Sequence, residues 1–151
     1  MRNKLLAASV AAILGAGIAQ GAYAQAKPEV LVKQRQAVMT LQFKYFGPLF
    51  GVAQGRVPYN AATVQRNAGL LDNLSRMAWD GFEASTKGEK SRALPAIYDN
   101  KAKFMQYAAQ LENETSKLVS VSKGGDEAAV KAQIGAVGNA CNSCHDDFRS
   151  K

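Results

Sequence analysis

The sequence has one histidine and two cysteines in 151 residues. A zinc site needs about four ligands, so carboxylates would have to complete any such cage. Alternation of β-branched residues is nearly absent, which argues against a sheet protein. No internal repeat or low-complexity tract is visible beyond the first residues, which excludes solenoid architectures. The formal net charge is +7, but Lys and Arg are interleaved with Asp and Glu. These charges read as solvated helix faces, and no clustered basic surface suggests nucleic-acid binding.

The opening stretch carries an export signal. Arg2 and Lys4 form a basic start, and Leu5 to Ile18 is apolar or small throughout. Ala22-Tyr23-Ala24 places small residues where a signal peptidase inspects them. The apolar run is short for a bilayer span, which takes ~20 residues. Cleavage after Ala24 is therefore expected rather than a retained anchor. Residues 1–24 are expected to be a removed signal peptide and 25–151 a single domain, in the periplasm and off the membrane.

Helical signals dominate that domain. Pro28 and Glu29 suit the start of a first helix, expected over about Pro28–Ala53 with Leu31, Val38, Leu41, Tyr45, Leu49 and Val52 at helical intervals. Gly47-Pro48 should bend this helix or disturb its last turns. Asn60 is a good N-cap for a second helix, with Val64, Ala68, Leu71, Leu74 and Ala78 as its stripe. A polar loop, Glu83 to Arg92, follows, and Pro95 suits a short turn. The third helix, about Asn100–Ser122, carries Phe104, Ala108, Leu111, Thr115 and Leu118. The fourth is capped by Asp126 and runs to about Arg149. Its Val130, Ile134, Val137, Cys141, Cys144 and Phe148 are spaced 4, 3, 4, 3, 4, a heptad-type seam that turns both cysteines inward. The expected fold class is all-α, an antiparallel up-down-up-down four-helix bundle.

Both cysteines lie in one pentapeptide, Cys141-Asn142-Ser143-Cys144-His145. A disulfide there would close a very small loop and stabilise little. A thioredoxin-like redox pair expects a βαβ context, which is absent. The C-x-x-C-H spacing is that of c-type haem attachment. One helical turn puts both thiols on one face to meet the two vinyl groups of one porphyrin, and His145 follows to ligate the iron. One covalently bound haem c is therefore expected. No Met follows the motif; Met1, Met39, Met77 and Met105 all precede it, so any sixth ligand comes from another helix or is missing.

In this order, Lys27-Pro28-Glu29, Arg35-Gln36, Val57-Pro58-Tyr59-Asn60, Trp79 with Phe82, and Cys141 to Arg149 resemble the cytochrome c′ family, the class II c-type cytochromes. The resemblance implies a high-spin haem with His145 as axial ligand and the other face shielded by the first helix. It places Arg35 and Gln36 near the haem propionates, Trp79 and Phe82 near the ring, and Arg149 near His145. Arg35 could equally be a solvated cation and Trp79 a plain core aromatic. Homodimers through the first two helices are implied, and NO and CO as ligands. Met39 stands where the family keeps a distal, usually apolar, residue. It fills space there or serves as a sixth ligand in a low-spin electron carrier. The space-filling role is favoured, because Val38, Thr40, Phe43, Tyr45 and Phe46 make a bulky segment like that of the high-spin branch. A redox partner is implied but not identified. No enzymatic activity is expected, since peroxide cleavage needs polar distal groups in acid–base roles.

Overall fold

A computed structural model describes residues 26–151, so the expected signal peptide lies outside the described residues. The described residues form five α-helices: α1 (Pro28–Ala53), α2 (Ala61–Ser75), the single turn α3 (Ala96–Asp99), α4 (Lys101–Lys123) and α5 (Glu127–Phe148). The four long helices form the expected antiparallel bundle, with α1 against α2 and α5, and α4 against α2 and α5. None of the described helices is long and apolar enough to cross a membrane.

Local chemistry sets the helix ends. The Asn60 side chain accepts a hydrogen bond from the Thr63 N–H at 2.9 Å. Asn100 accepts from Lys103 N–H, and Asp126 accepts from both Ala128 and Ala129 N–H groups. Each bond satisfies a donor that the first helical turn leaves orphaned. The sequence overstates α2. It stops at Ser75, and Trp79–Gly81 forms a separate 3-10 turn. Pro48 does not break α1, which runs on to Ala53.

The core stripes of α4 and α5 lie as their spacing predicts. Phe104, Ala108, Leu111, Thr115 and Leu118 are buried, as are Val130, Ile134 and Val137. On α1 the stripe lies as expected except at one position. Leu41 is 40% exposed, while Gln42 is buried and donates from Nε2 to the Leu74 carbonyl at 3.0 Å. The reason is periodicity. Leu31, Arg35, Val38, Gln42, Tyr45, Leu49 and Val52 alternate by four and three, so the helix turns two polar side chains inward.

Two apolar clusters result. The larger runs along the bundle through Leu49, Val64, Leu111, Leu118 and Ile134, and Cys141 packs against it. The smaller gathers Phe82, Ile97, Phe104 and Phe148, with Met39 and Cys144 at its edge. Trp79 touches both. Ile134 is wholly enclosed. Ile134→Ala is expected to lower unfolding free energy by about 2–5 kcal/mol, read as a lower urea midpoint at unchanged slope. A loss under about 1 kcal/mol would show that the α5 seam is not tightly packed.

Candidate functional site

Cys141, Cys144 and His145 occupy the penultimate turns of α5, the two cysteines on the seam that buries Val130, Ile134 and Val137 one to three turns earlier. Both cysteines are free thiols and half-buried. Burial pushes Cys141 up to about 11. Burial, then the neighbouring Cys141 and Asp147, pushes Cys144 up to about 11. Both sulfurs are therefore thiols rather than thiolates at neutral pH, unlike reactive redox cysteines. Burial also lowers the His145 pKa, with the Arg149 and Arg92 guanidiniums adding to the effect and Asp146 opposing it. The neutral imidazole, the form that binds metal, is favoured.

The turn is strapped in place from two sides. Leu94 N–H donates to the Phe148 carbonyl at 2.9 Å, Ser150 N–H to the Arg92 carbonyl at 2.8 Å, and Arg92 Nη2 to the Ser150 carbonyl at 2.7 Å. An isolated bridge pairs Ala93 with Arg149. On the α4 side, Asp147 accepts from Tyr107 Oη and pairs with Lys103 Nζ, each at 2.8 Å. Those two hydrogen bonds hold the Asp147 carboxyl below its usual range.

The sequence-selected residues divide. Trp79, Phe82, Met39 and Cys144 meet at one aromatic cluster, where Phe104 lies edge-on to Phe148 at 5.5 Å and tilted against Phe82 at 4.9 Å. Trp79 Nε1 donates to Glu112 Oε1 at 2.7 Å, which orients the indole. Arg35 is not a solvated cation: it is 3% exposed. Its Nη1 donates to the Gly81 carbonyl at 2.7 Å, to Thr86 Oγ1 at 3.0 Å and to Tyr98 Oη at 3.2 Å, and its Nη2 donates to Ser91 Oγ at 2.9 Å. The guanidinium also lies 4.3 Å from the Phe82 ring centre, a cation–π contact. A β-carbon on Gly81 would meet Arg35 Cβ at 2.7 Å and the Leu31 carbonyl at 2.8 Å, so only glycine lets the turn close on α1. Gln36 stays exposed beside this hub, its carbonyl accepting from Thr40 Oγ1. Arg149 is exposed at the end of α5, and its N–H donates to the His145 carbonyl.

The polar loop of the sequence reading is thus a clamp. Thr86 and Ser91 come from it, and they reach Arg35 from 51 and 56 residues away in sequence. Glu112, Thr86, Ser91 and Tyr98 escape sequence reasoning because nothing local marks them as partners of α1 or Trp79.

Against known proteins, the family model described as cytochrome C′ matches residues 30–149. The chain belongs to the cytochrome c′ family. It is 36% identical over 126 residues to cytochrome c′ of Alcaligenes xylosoxydans xylosoxydans, covering 83% of this chain and 98% of that protein. It is 35% identical over the same length and shares to cytochrome c′ of Rubrivivax gelatinosus. A nitric oxide complex of a variant cytochrome c prime from Alcaligenes xylosoxidans superposes with a TM-score of 0.77 at 36% identity, covering 83% of this chain and 98% of that one. Membership of the cytochrome c′ family implies a covalently bound haem c.

The residues present fit that group. Two free thiols one turn apart stand where the two apolar clusters meet, so a flat apolar ring tethered there would rest on aromatic side chains. Among the described residues, no three His, Cys, Asp or Glu side chains converge as a metal cage. A cleft of about 540 Å³ opens beside Trp79, Phe82 and Lys101, but neither cysteine nor His145 lines it.

The Arg35 hub gives a paired prediction. Arg35→Leu strips donors from buried acceptors and is expected to cost about 2–4 kcal/mol in urea unfolding. Gln36→Ala, at an exposed position, is expected to stay within about 0.5 kcal/mol. Equal effects would remove Arg35 from the clamp.

Proposed function

We propose that the chain is exported, loses residues 1–24, and works in the periplasm as a high-spin c-type haem protein that binds NO or CO, carries electrons, or does both. The observation that carries this reading is the turn Cys141–His145, with both thiols on the inward seam of α5, Cys144 against the aromatic cluster, and the imidazole half-buried next to them. Cys141 and Cys144 would hold the porphyrin through thioether bonds, and His145 would ligate its iron. Bound there, the haem supplies a site for a diatomic ligand and a one-electron couple. The Alcaligenes relative's nitric oxide complex supports NO as a ligand.

The chain's own residues shape that chemistry. The apolar cluster of Phe82, Ile97, Phe104 and Phe148 excludes water. The straps at Arg92, Leu94 and Asp147 fix the turn that carries His145. Arg35 and Glu112 hold Phe82 and Trp79 in place. Arg35 and Gln36, on adjacent positions of α1, are assigned to the propionate edge, and Arg149 to the surroundings of His145. A homodimer through α1 and α2 belongs to the same reading.

A second reading has its own observation. Met39 packs at the edge of the cluster that includes Cys144, so its thioether is on the correct side of the bundle to be a sixth ligand. That arrangement would make a low-spin carrier of electrons alone.

The purified exported protein is expected to begin at Gln25 and to carry one haem that acid–solvent extraction does not remove. Its ferrous form should be five-coordinate and bind CO, and Met39→Ala should leave the spin state unchanged. A low-spin spectrum that turns high-spin on Met39→Ala would establish the second reading. Colourless protein with two titratable thiols would refute both.

A further inference from the structure

α1 and α5 run antiparallel, and one close approach fixes how they line up. A β-carbon built on Gly138 would stand 3.3 Å from Phe46 Cζ and 4.0 Å from Phe50 Cε2, so these rings lie against α5 at Gly138. Both helices rise ~1.5 Å per residue. Stepping back along α1 from Phe46 therefore matches stepping forward along α5 from Gly138. Seven residues bring Met39 level with His145, and Met39 does pack in the cluster that includes Cys144 and Phe148. Three residues bring Phe43 level with Cys141.

Met39, Phe43, Phe46 and Phe50 make one stripe on α1, spaced four, three and four. Met39 and Phe46 are half-buried, and Phe46 stacks on Phe50 with ring centres 5.7 Å apart. Phe43 breaks the pattern. At 76% it is the most exposed of the large apolar side chains among the described residues. With Phe50 37% exposed and Met39 and Phe46 half-buried on the same stripe, the Phe43 ring extends a contiguous apolar patch, and such patches mark places where something apolar binds. Its level on α5 is the first of the two cysteines.

We infer that Phe43 is a second distal residue: its ring covers the haem face opposite His145 on the Cys141 side, beside Met39, and sets the size of ligand that reaches the iron. This rests on the haem reading above. The two side chains differ in kind. The Met39 thioether is flexible and yields to a ligand, whereas a phenyl is a rigid apolar wall with no hydrogen-bond donor. Together they admit small diatomic ligands and reject larger ones by shape.

Haem-loaded protein tests this with two measurements. In the diamagnetic ferrous state, with CO or Met39 bound, the Phe43 ring protons are expected to move strongly upfield in the porphyrin ring current. Stopped-flow binding of CO and of alkyl isocyanides from methyl to tert-butyl should then be compared between the parent, Phe43→Ala and Phe43→Leu. Phe43→Ala is expected to speed the tert-butyl compound about tenfold relative to CO, with Phe43→Leu between, the scale at which apolar pockets discriminate size. Ordinary ring-proton shifts, or equal acceleration at every ligand size, would overturn the assignment while leaving the haem reading intact. Ordinary shifts together with a dimer that falls apart in Phe43→Ala would place the ring at a contact between copies instead. A parent protein without haem would overturn the haem reading itself.

Discussion

One face of one helix has to do two things at once. The stripe of α5 from Val130 to Val137 closes the long core, and the same stripe, continued by two more turns, presents Cys141 and Cys144. The site therefore cannot rotate without unpacking the bundle. Val130, Ile134 and Val137 are all fully buried, so a rotation of α5 large enough to move the thiols off the interior would expose all three. Packing energy of several kcal/mol per large side chain thus fixes the azimuth of the tether. Its height is fixed separately, by the straps to the 92–94 segment and by the Asp147 contacts to α4.

Against that fixed helix the rest of the site is assembled by long-range polar contacts. Arg35 reaches from α1 to the turn at Gly81 and to Thr86, Ser91 and Tyr98 beyond it, across 46 to 63 residues of sequence. Glu112 does the same for Trp79 from α4. A buried charge is costly unless each of its donors finds an acceptor. The guanidinium accordingly gathers the loop around itself, and the loop brings Phe82 with it.

This division explains what could be read from the chain alone. Helices, caps and the α5 seam depend on spacing within a few residues: Asn60 and Asp126 cap as their positions predict, and Asn100, expected as the start of the third helix, caps it. The C-x-x-C-H turn is local too, and it carries the chemistry. The one misassigned position on α1 has a specific cause: Arg35 and Gln42 fall on the inner face, and an apolar pattern passes over them in favour of Leu41. The loop from Glu83 to Arg92 has the composition of a solvated connection. Its clamp role exists only through partners on α1 and α3, which no local pattern can announce.

Charge placement follows the same logic at the site's rim. Arg92 and Arg149 bracket His145, and both lower its proton affinity, while Asp146 works the other way. Asp147 faces outward and is held by Lys103 and Tyr107 on α4. The single imidazole thus sits between a buried apolar seam and a cationic rim, and both disfavour the imidazolium. That same burial pushes up both thiols, Cys144 next to His145 and Cys141 one turn before it.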